Sequence, residues 1–306
     1  MTVSESLWHP DPSWQILAGG PAGGGTWLAQ SHRRSLVVKR LTCPERGDPA
    51  ELSQPRHAGW WRREADLALD GAIASTAGLR APQVLRVEED DSGVTVWCAR
   101  VPGADNNGLY LARALGVFAG NQLADQPWWC RDLLAGRIHR LEDQGGWPTL
   151  ARTTLADVAD RLWQRRGVHL SRLGGVLQVP THGDPTPANL PGRDGADVVA
   201  VDWSSFGSGP VGADLGYLAL SVRDELDVLL MAYDEGLVAG GLEVDPDQVR
   251  DAATVMACYT AVSRAEWALA RAAAGPGALA GKYRHPAVAP YLRALQRLFP
   301  QLETLL

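Results

Sequence analysis

Cysteine is scarce in this chain of 306 residues. Cys43, Cys98, Cys130 and Cys258 are scattered and show no C-x-x-C spacing. That excludes a zinc ribbon or a disulfide framework and fits a reducing, cytoplasmic setting. No apolar run reaches the length needed to span a bilayer, and the first residues, Met1 to Trp14, have neither the basic start nor the apolar stretch of a signal peptide. Basic residues are not in surplus: the net charge is −6 with histidine neutral, and lysine is rare beside arginine. Duplex nucleic acid and anionic membranes reward a basic face, so neither is an expected partner. The sequence also lacks G-x-x-x-x-G-K-[ST], which argues against a P-loop ATPase.

What remains is an ordinary globular composition, 45% hydrophobic and 21% charged, long enough for one two-lobed domain or two compact ones. Twelve tryptophans are many for this length. They serve core packing, or some of them line a substrate cleft.

The first hundred residues read as short β-prone segments around one helix. Strands are expected at 14–17, 27–30, 36–41, 84–88 and 94–98, and a helix at 60–74. A glycine-rich stretch at 19–25 separates the first two strands, and 42–57, with Pro44, Gly47, Pro49 and Pro55, reads as a mobile loop. After a short hinge at 99–103, long helical patterns dominate, at 109–123, 129–143, 150–167, 212–237, 246–274 and 286–299. Strand signals at 176–179 and 198–203 interrupt them, and 272–281 reads as a helix end and turn. The expectation is an α+β protein: a β-rich lobe over residues 1–100 and a mainly helical lobe over residues 101–306.

The strongest chemical signal is Thr181-His182-Gly183-Asp184-Pro185-Thr186-Pro187-Ala188-Asn189-Leu190, followed by Val199-Ala200-Val201-Asp202-Trp203. Transfer of a phosphoryl group from ATP needs a carboxylate to orient the acceptor hydroxyl and take its proton. It also needs oxygen ligands to hold Mg²⁺ against the triphosphate, and Mg²⁺ prefers carboxylates, amide oxygens and water. Asp184, Asn189 and Asp202 supply that set, and Gly183, Pro185 and Pro187 favour the irregular loop on which such groups are presented. Taken singly, these residues also fit a turn, a helix cap and a strand end.

The combination resembles the aminoglycoside phosphotransferase and choline kinase group: His182-Gly183-Asp184, Asn189, Val201-Asp202-Trp203, Gly207-Ser208-Gly209-Pro210 and Asp214-Leu215. The match is closest over residues 178–219 and looser over nearly the whole chain. It implies a protein-kinase-like fold, ATP and Mg²⁺ as cofactors, Asp184 as catalytic base, Asn189 and Asp202 as metal ligands, and His182 as a support of the loop. Asp214 would cap the helix that follows. The sequence departs from the group's pattern at Thr186 and Ala188, where histidine and glycine are frequent.

The N-terminal half supplies the nucleotide side. Lys39 lies in an apolar strand, where an unpaired ammonium is costly, so it reaches either solvent or an acid. Glu64 and Asp66, on the next expected helix, are the two candidates, and a Lys–Glu pair at the phosphates is the kinase-like arrangement. The backbone of Gly20, Gly23, Gly24 and Gly25 and the hydroxyl of Thr26 could approach the triphosphate. The segment Trp97-Cys98-Ala99-Arg100-Val101-Pro102-Gly103 is similar to the hinge that binds adenine, which implies base pairing to the Ala99 carbonyl and the Val101 N–H.

The acceptor is less legible. Asp224, Glu225, Asp227, Asp234 and Glu235, with Trp203, Tyr217, Tyr259 and Trp267, would suit a cationic amine or amino-sugar, or else form a solvated acidic face. Three functions follow as expectations. The first is a kinase of small-molecule hydroxyls, whether aminoglycoside, amino alcohol or sugar. The second is a kinase of precursor-peptide Ser or Thr in ribosomal-peptide biosynthesis. The third is a silent nucleotide-binding pseudokinase.

Overall fold

The computed structural model describes residues 8–19, 24–31, 34–143, 154–272, 289–298, 300, 301 and 305. Residues 20–23 of the glycine-rich stretch, Gly20 and Gly23 among them, and most of 272–281 lie outside them, as does the side chain of Trp267.

Five antiparallel strands form the first sheet, in the order β1 (Gln15–Gly19), β2 (Gly25–Ser31), β3 (Arg34–Thr42), β6 (Gly93–Ala99), β5 (Val84–Asp90). In β3, Val38 and Arg40 are buried on one face, so the two-residue alternation sends Lys39 to the other, between Thr26 of β2 and Val96 of β6. Helix α1 (Arg63–Asp70) packs Ala65 against Val94 and Val96 of this sheet. It is shorter than the expected helix because Gly71 turns left-handed at φ 70° and a 3-10 turn, Ala72–Ala74, follows. The segment 42–57, read as a mobile loop, carries a 3-10 turn at Ala50–Ser53 and is tied by the hydrogen bonds Leu52 N–H to Pro49 O and Trp61 N–H to Leu52 O.

The rest is mainly helical: α2 (Gly108–Ala119), α3 (Leu133–Asp143), α4 (Thr154–Leu173), α5 (Ala213–Leu218), α6 (Leu226–Ala239), α7 (Pro246–Ala272) and α8 (Ala289–Arg297). The single helix expected over 212–237 is two, α5 and α6, because Glu225 is extended and Leu226 starts a new turn. Helices α2 and α6 approach closely through glycine: a Cβ on Gly116 would lie 2.2 Å from the Tyr233 carbonyl, and one on Gly236 2.2 Å from that of Arg113.

Short strands at the junction position the chemistry. β7 (Gln178–Thr181) pairs with β10 (Gly207–Pro210), and β8 (Gly192–Asp194) pairs with β9 (Asp197–Val199). β4 (Leu79–Arg80) comes from the N-terminal part of the chain but runs parallel to β9. Leu67, Ile73 and Leu79 accordingly belong to the same buried cluster as the helical core. The Asp184 loop lies between β7 and β8, and Asp202 between β9 and β10. This sheet-rich and helical arrangement is the protein-kinase-like fold.

Candidate active site

A cleft of about 870 Å³ opens under the first sheet. Gly24, Gly25, Thr26, Lys39, Glu64, Ala99, Val101 and Asp202 all line it, with Val37, Ile73, Val84, Val96 and Cys98 giving it an apolar interior. Volume and lining suit a ligand that is part flat and apolar, part polar. Burial raises the Cys98 thiol to about 12, so it stands in this wall as a neutral, inert group.

Lys39 joins the two parts of the chain here. Its Nζ contacts Glu64 Oε2 from α1 and lies 2.8 Å from Asp202 Oδ1 in the helical part. Burial opposes the ammonium charge, but the two carboxylates outweigh it and raise the pKa. Burial pushes the Glu64 carboxyl up, against the pull of Lys39. On Asp202 burial pushes the same way, yet Lys39 prevails and the pKa falls. Asp66 points elsewhere, accepting from Trp60 Nε1 at 2.8 Å and Arg62 Nε at 2.9 Å.

Asp202 has φ 60° and ψ 62°, the left-handed region that few residues other than glycine adopt. The conformation turns its carboxylate into the cleft while Trp203 goes into the core, where it is 2% exposed. Such a cost in backbone energy persists only where neighbours fix it. Here the neighbours are the Val201 carbonyl, 3.0 Å from His182 Nε2, and the Val201 N–H, which donates to Asn189 O at 2.8 Å.

The loop 182–190 is held from below. Asp214 accepts the His182 N–H at 2.6 Å and the Gly183 N–H at 3.0 Å. Its expected role as a helix cap is therefore replaced: Gly212 occupies that position, and the buried carboxylate serves the loop. Gly183 has φ 82°, and a Cβ there would stand 2.5 Å from the Ser205 carbonyl, so only glycine fits. The His182 ring is fully buried and packs 4.6 Å from Trp203. Asn189 Nδ2 donates to Asp184 O at 2.9 Å, which leaves the amide oxygen to accept a hydrogen bond or coordinate a cation.

Asp184 and Asn189 do not line the large cleft but stand next to its Asp202 edge through these bonds. The Asp184 carboxylate meets an arginine, Arg264 of α7, at 3.1 Å. Arg137 of α3 donates to Gly183 O at 3.1 Å. The two guanidinium carbons lie 5.4 Å and 5.2 Å from the ring centre of Tyr217. Neither arginine is apparent as a site residue from motif reasoning. The one available signal for Arg264 is a lone cation in the small and apolar run 252–265 of a long helix.

The expected amine-binding acids are not assembled here. Asp224, Glu225, Asp227, Asp234 and Glu235 lie on α6 or the turn before it and line neither this cleft nor the smaller cavity behind the loop, and Asp227 pairs with Arg250. Tyr259 is a core residue whose hydroxyl donates to Leu162 O at 2.6 Å.

An amide oxygen and a carboxylate form a hard oxygen pair that suits Mg²⁺ with phosphate oxygens and water completing the octahedron. Among the described residues no group of three or more His, Cys, Asp or Glu could hold a metal alone. Asn189 and Asp202 would hold a metal only with further oxygen ligands brought by a nucleotide's phosphates and water.

The fold places the chain in the class of protein-kinase-like folds. Comparison with protein-family models and with curated proteins gives no match. Solved structures do match. A choline kinase from Streptococcus pneumoniae is 13% identical, with 94% of this chain and 93% of that one covered at a TM-score of 0.57. An amicoumacin kinase, solved with AMP-PNP, Ca²⁺ and Ami, is 14% identical, with 95% and 90% covered at 0.56. An aminoglycoside phosphotransferase from Alicyclobacillus acidocaldarius is 15% identical, with 98% of both chains covered at 0.52. At these identities the likeness is one of fold, and it includes both kinds of protein that the motifs resemble. No described helix is long and apolar enough to cross a membrane.

Proposed function

We propose that this protein is an ATP-dependent phosphotransferase that moves the γ-phosphoryl group of Mg-ATP to a hydroxyl of a small molecule. The nucleotide would be held by the lobe of residues 1–100 and the acceptor by the lobe of residues 101–306. The observation that carries this reading is the continuous set of contacts from Glu64 through Lys39 to Asp202, and from Val201 through Asn189 to Asp184. Cation, metal-binding oxygens and base stand in the order in which phosphoryl transfer uses them. The complex of the amicoumacin kinase with AMP-PNP supports the choice of nucleotide.

In this reading adenine pairs with the backbone at Ala99 and Val101, and Gly24, Gly25 and Thr26 cover the phosphates. Lys39, aligned by Glu64, neutralises phosphate charge. Asn189 and Asp202 hold Mg²⁺, which screens the phosphate oxygens when bound. Asp184 orients the acceptor hydroxyl and takes its proton, while His182 and Asp214 keep the loop rigid.

Asp184→Asn is the test. It preserves shape and removes the base, so ADP release falls about 10²–10⁴-fold while Mg-ATP affinity stays as in the wild type. Equal loss of ATP affinity in a folded variant would remove Asp184 from that role.

A further inference from the structure

Behind the loop that carries Asp184 lies a second cavity, of about 270 Å³. Strand β7 walls it with Thr181, β10 with Ser208 and Gly209, and α5 with Ala213 and Asp214. The first turn of α3 closes one side, and Leu170, Leu173 and Met256 give it an apolar floor. Thr181 and Ser208 are more than nine-tenths buried, at 6% and 8% exposure. A Cβ on Gly209 would stand 3.4 Å from Thr181 Oγ1 and 3.7 Å from the Ala213 Cβ, so the glycine keeps open the space beside that hydroxyl. Neither the Thr181 nor the Ser208 hydroxyl has a hydrogen-bond partner among the described residues.

A buried hydroxyl without a partner is costly, so this end of the cavity calls for a group that both accepts and donates a hydrogen bond. Water does so, and so does a hydroxyl on a ligand. A ligand with an apolar body covers the leucines and the methionine as well, which water does not. The charged groups around the cavity are already committed. Asp214 accepts the His182 and Gly183 N–H groups. Arg131 pairs with Asp125 at 2.6 Å. Asp132 is exposed, where water screens it. A charged group entering the interior therefore loses its water without gaining a free counter-ion, and a neutral hydroxyl does not. The volume sits just below the range of about 300–1,000 Å³ that suits drug-sized ligands, so the occupant is small.

We propose that this cavity is a second ligand site, for a small neutral molecule with hydroxyl groups at one end and an apolar body at the other. It shares no lining residue with the cleft of Lys39 and Asp202. Asp214 stands in its wall and holds the loop, so an occupant bears on the support of Asp184 and not on Asp184 itself. The site is a binding property of the fold and does not rest on the phosphotransferase reading.

The probes are 1,2-hexanediol, hexanoate and hexylamine, which share an apolar tail and differ in the charge of the head. Each is titrated into the full-length protein by ligand-observed NMR, and hydrogen exchange locates the bound probe. Wild type binds 1,2-hexanediol saturably at millimolar concentration, about tenfold or more tightly than either charged probe, and exchange slows over 178–183 and 207–214. Thr181→Val and Ser208→Ala each weaken the binding about two- to tenfold. Neither lowers the melting temperature, because each removes an unpaired hydroxyl, an outcome that a merely structural role does not produce. Ala135→Leu fills the cavity from α3 and abolishes binding; if that variant does not fold, Thr181→Val and the exchange pattern decide. Saturating Mg-AMP-PNP does not displace the diol. No saturable binding, displacement by Mg-AMP-PNP, protection only around Lys39, or wild-type affinity in Thr181→Val would each overturn the proposal. Tighter binding of hexanoate or hexylamine would overturn the neutral class of ligand.

Discussion

Lys39 is the residue that ties the sheet-rich part to the helical part, through Glu64 and Asp202. It offsets the burial of Glu64 and holds Asp202 in its left-handed turn. Without the ammonium, the raised pKa of Glu64 loses its main restraint and keeps only the backbone hydrogen bond from Trp203. A carboxyl whose folded pKa lies above its unfolded value binds a proton on folding, so stability rises as pH falls and is lost as pH rises through the folded pKa. Asp202 works in the opposite direction: its lowered pKa gives stability above the ordinary carboxylate range that is lost as pH falls through the lowered value. Lys39→Met therefore steepens the loss of stability with rising pH, starting above the ordinary glutamate value of about 4.3. Urea unfolding of the variant and the wild type across the acidic to neutral range measures this. Parallel pH curves would show that Lys39 does not restrain Glu64.

Helix α1 presents Glu64, and the neighbouring Arg63 fixes the helix in place. Arg63 is fully buried, and among the described residues no carboxylate forms an ion pair with it. Its guanidinium donates to five carbonyls, those of Pro55, His57, Ala58, Trp128 and Ser204. Ser204 lies two residues beyond Asp202, so one side chain locks α1 to the segment that carries Asp202. Arg63→Met leaves those acceptors buried and unpaired, at about 1–3 kcal/mol for each that finds no water. Unfolding free energy falls by about 3 kcal/mol or more, and Mg-ATP affinity falls with it as Glu64 loses its position. A stable variant with normal affinity would show that α1 is held by its apolar face alone. Such pins are not visible in a sequence, where Arg62-Arg63 reads as an exposed basic pair. The same limit explains the short strands β4, β8 and β10. They have two to four residues, too few for a two-residue alternation to register, and are held by pairing with distant partners. The longer strands β3 and β6 and the helices α2 and α7 have enough residues for their period to be read. The division of 212–237 was hidden because apolar spacing continues across the polar turn 221–225.

Across the whole molecule, the sheet-rich and helical parts meet through β4 on β9, Arg63 on Trp128 and Ser204, and Lys39 on Asp202. The residues of the loop 181–190 and of 199–203 were legible because the motif they form lies within one short stretch. The acceptor side was not. Arg137 and Arg264 come from helices far apart in sequence, and only the packing of α3 and α7 around Tyr217 brings them to Asp184. The acidic residues of α6, conspicuous in the sequence, stay largely at the surface, while the buried face of the helix, Leu226, Leu229, Leu230, Tyr233, Gly236 and Leu237, goes into the core. The surroundings of Asp184 are thus a product of tertiary assembly, whereas the motif residues lie within short stretches of sequence.

The central claim is that Lys39, Asn189 and Asp202 hold Mg-ATP, and a thermal-shift titration of wild type and Asp202→Ala tests it most directly. The account predicts a rise in wild-type stability that depends on Mg²⁺, about 2.7 kcal/mol at a ligand concentration a hundred times Kd, and its near-complete loss in the variant. No stabilisation of the wild type at saturating Mg-ATP, or the same Mg²⁺ dependence in Asp202→Ala, would contradict it.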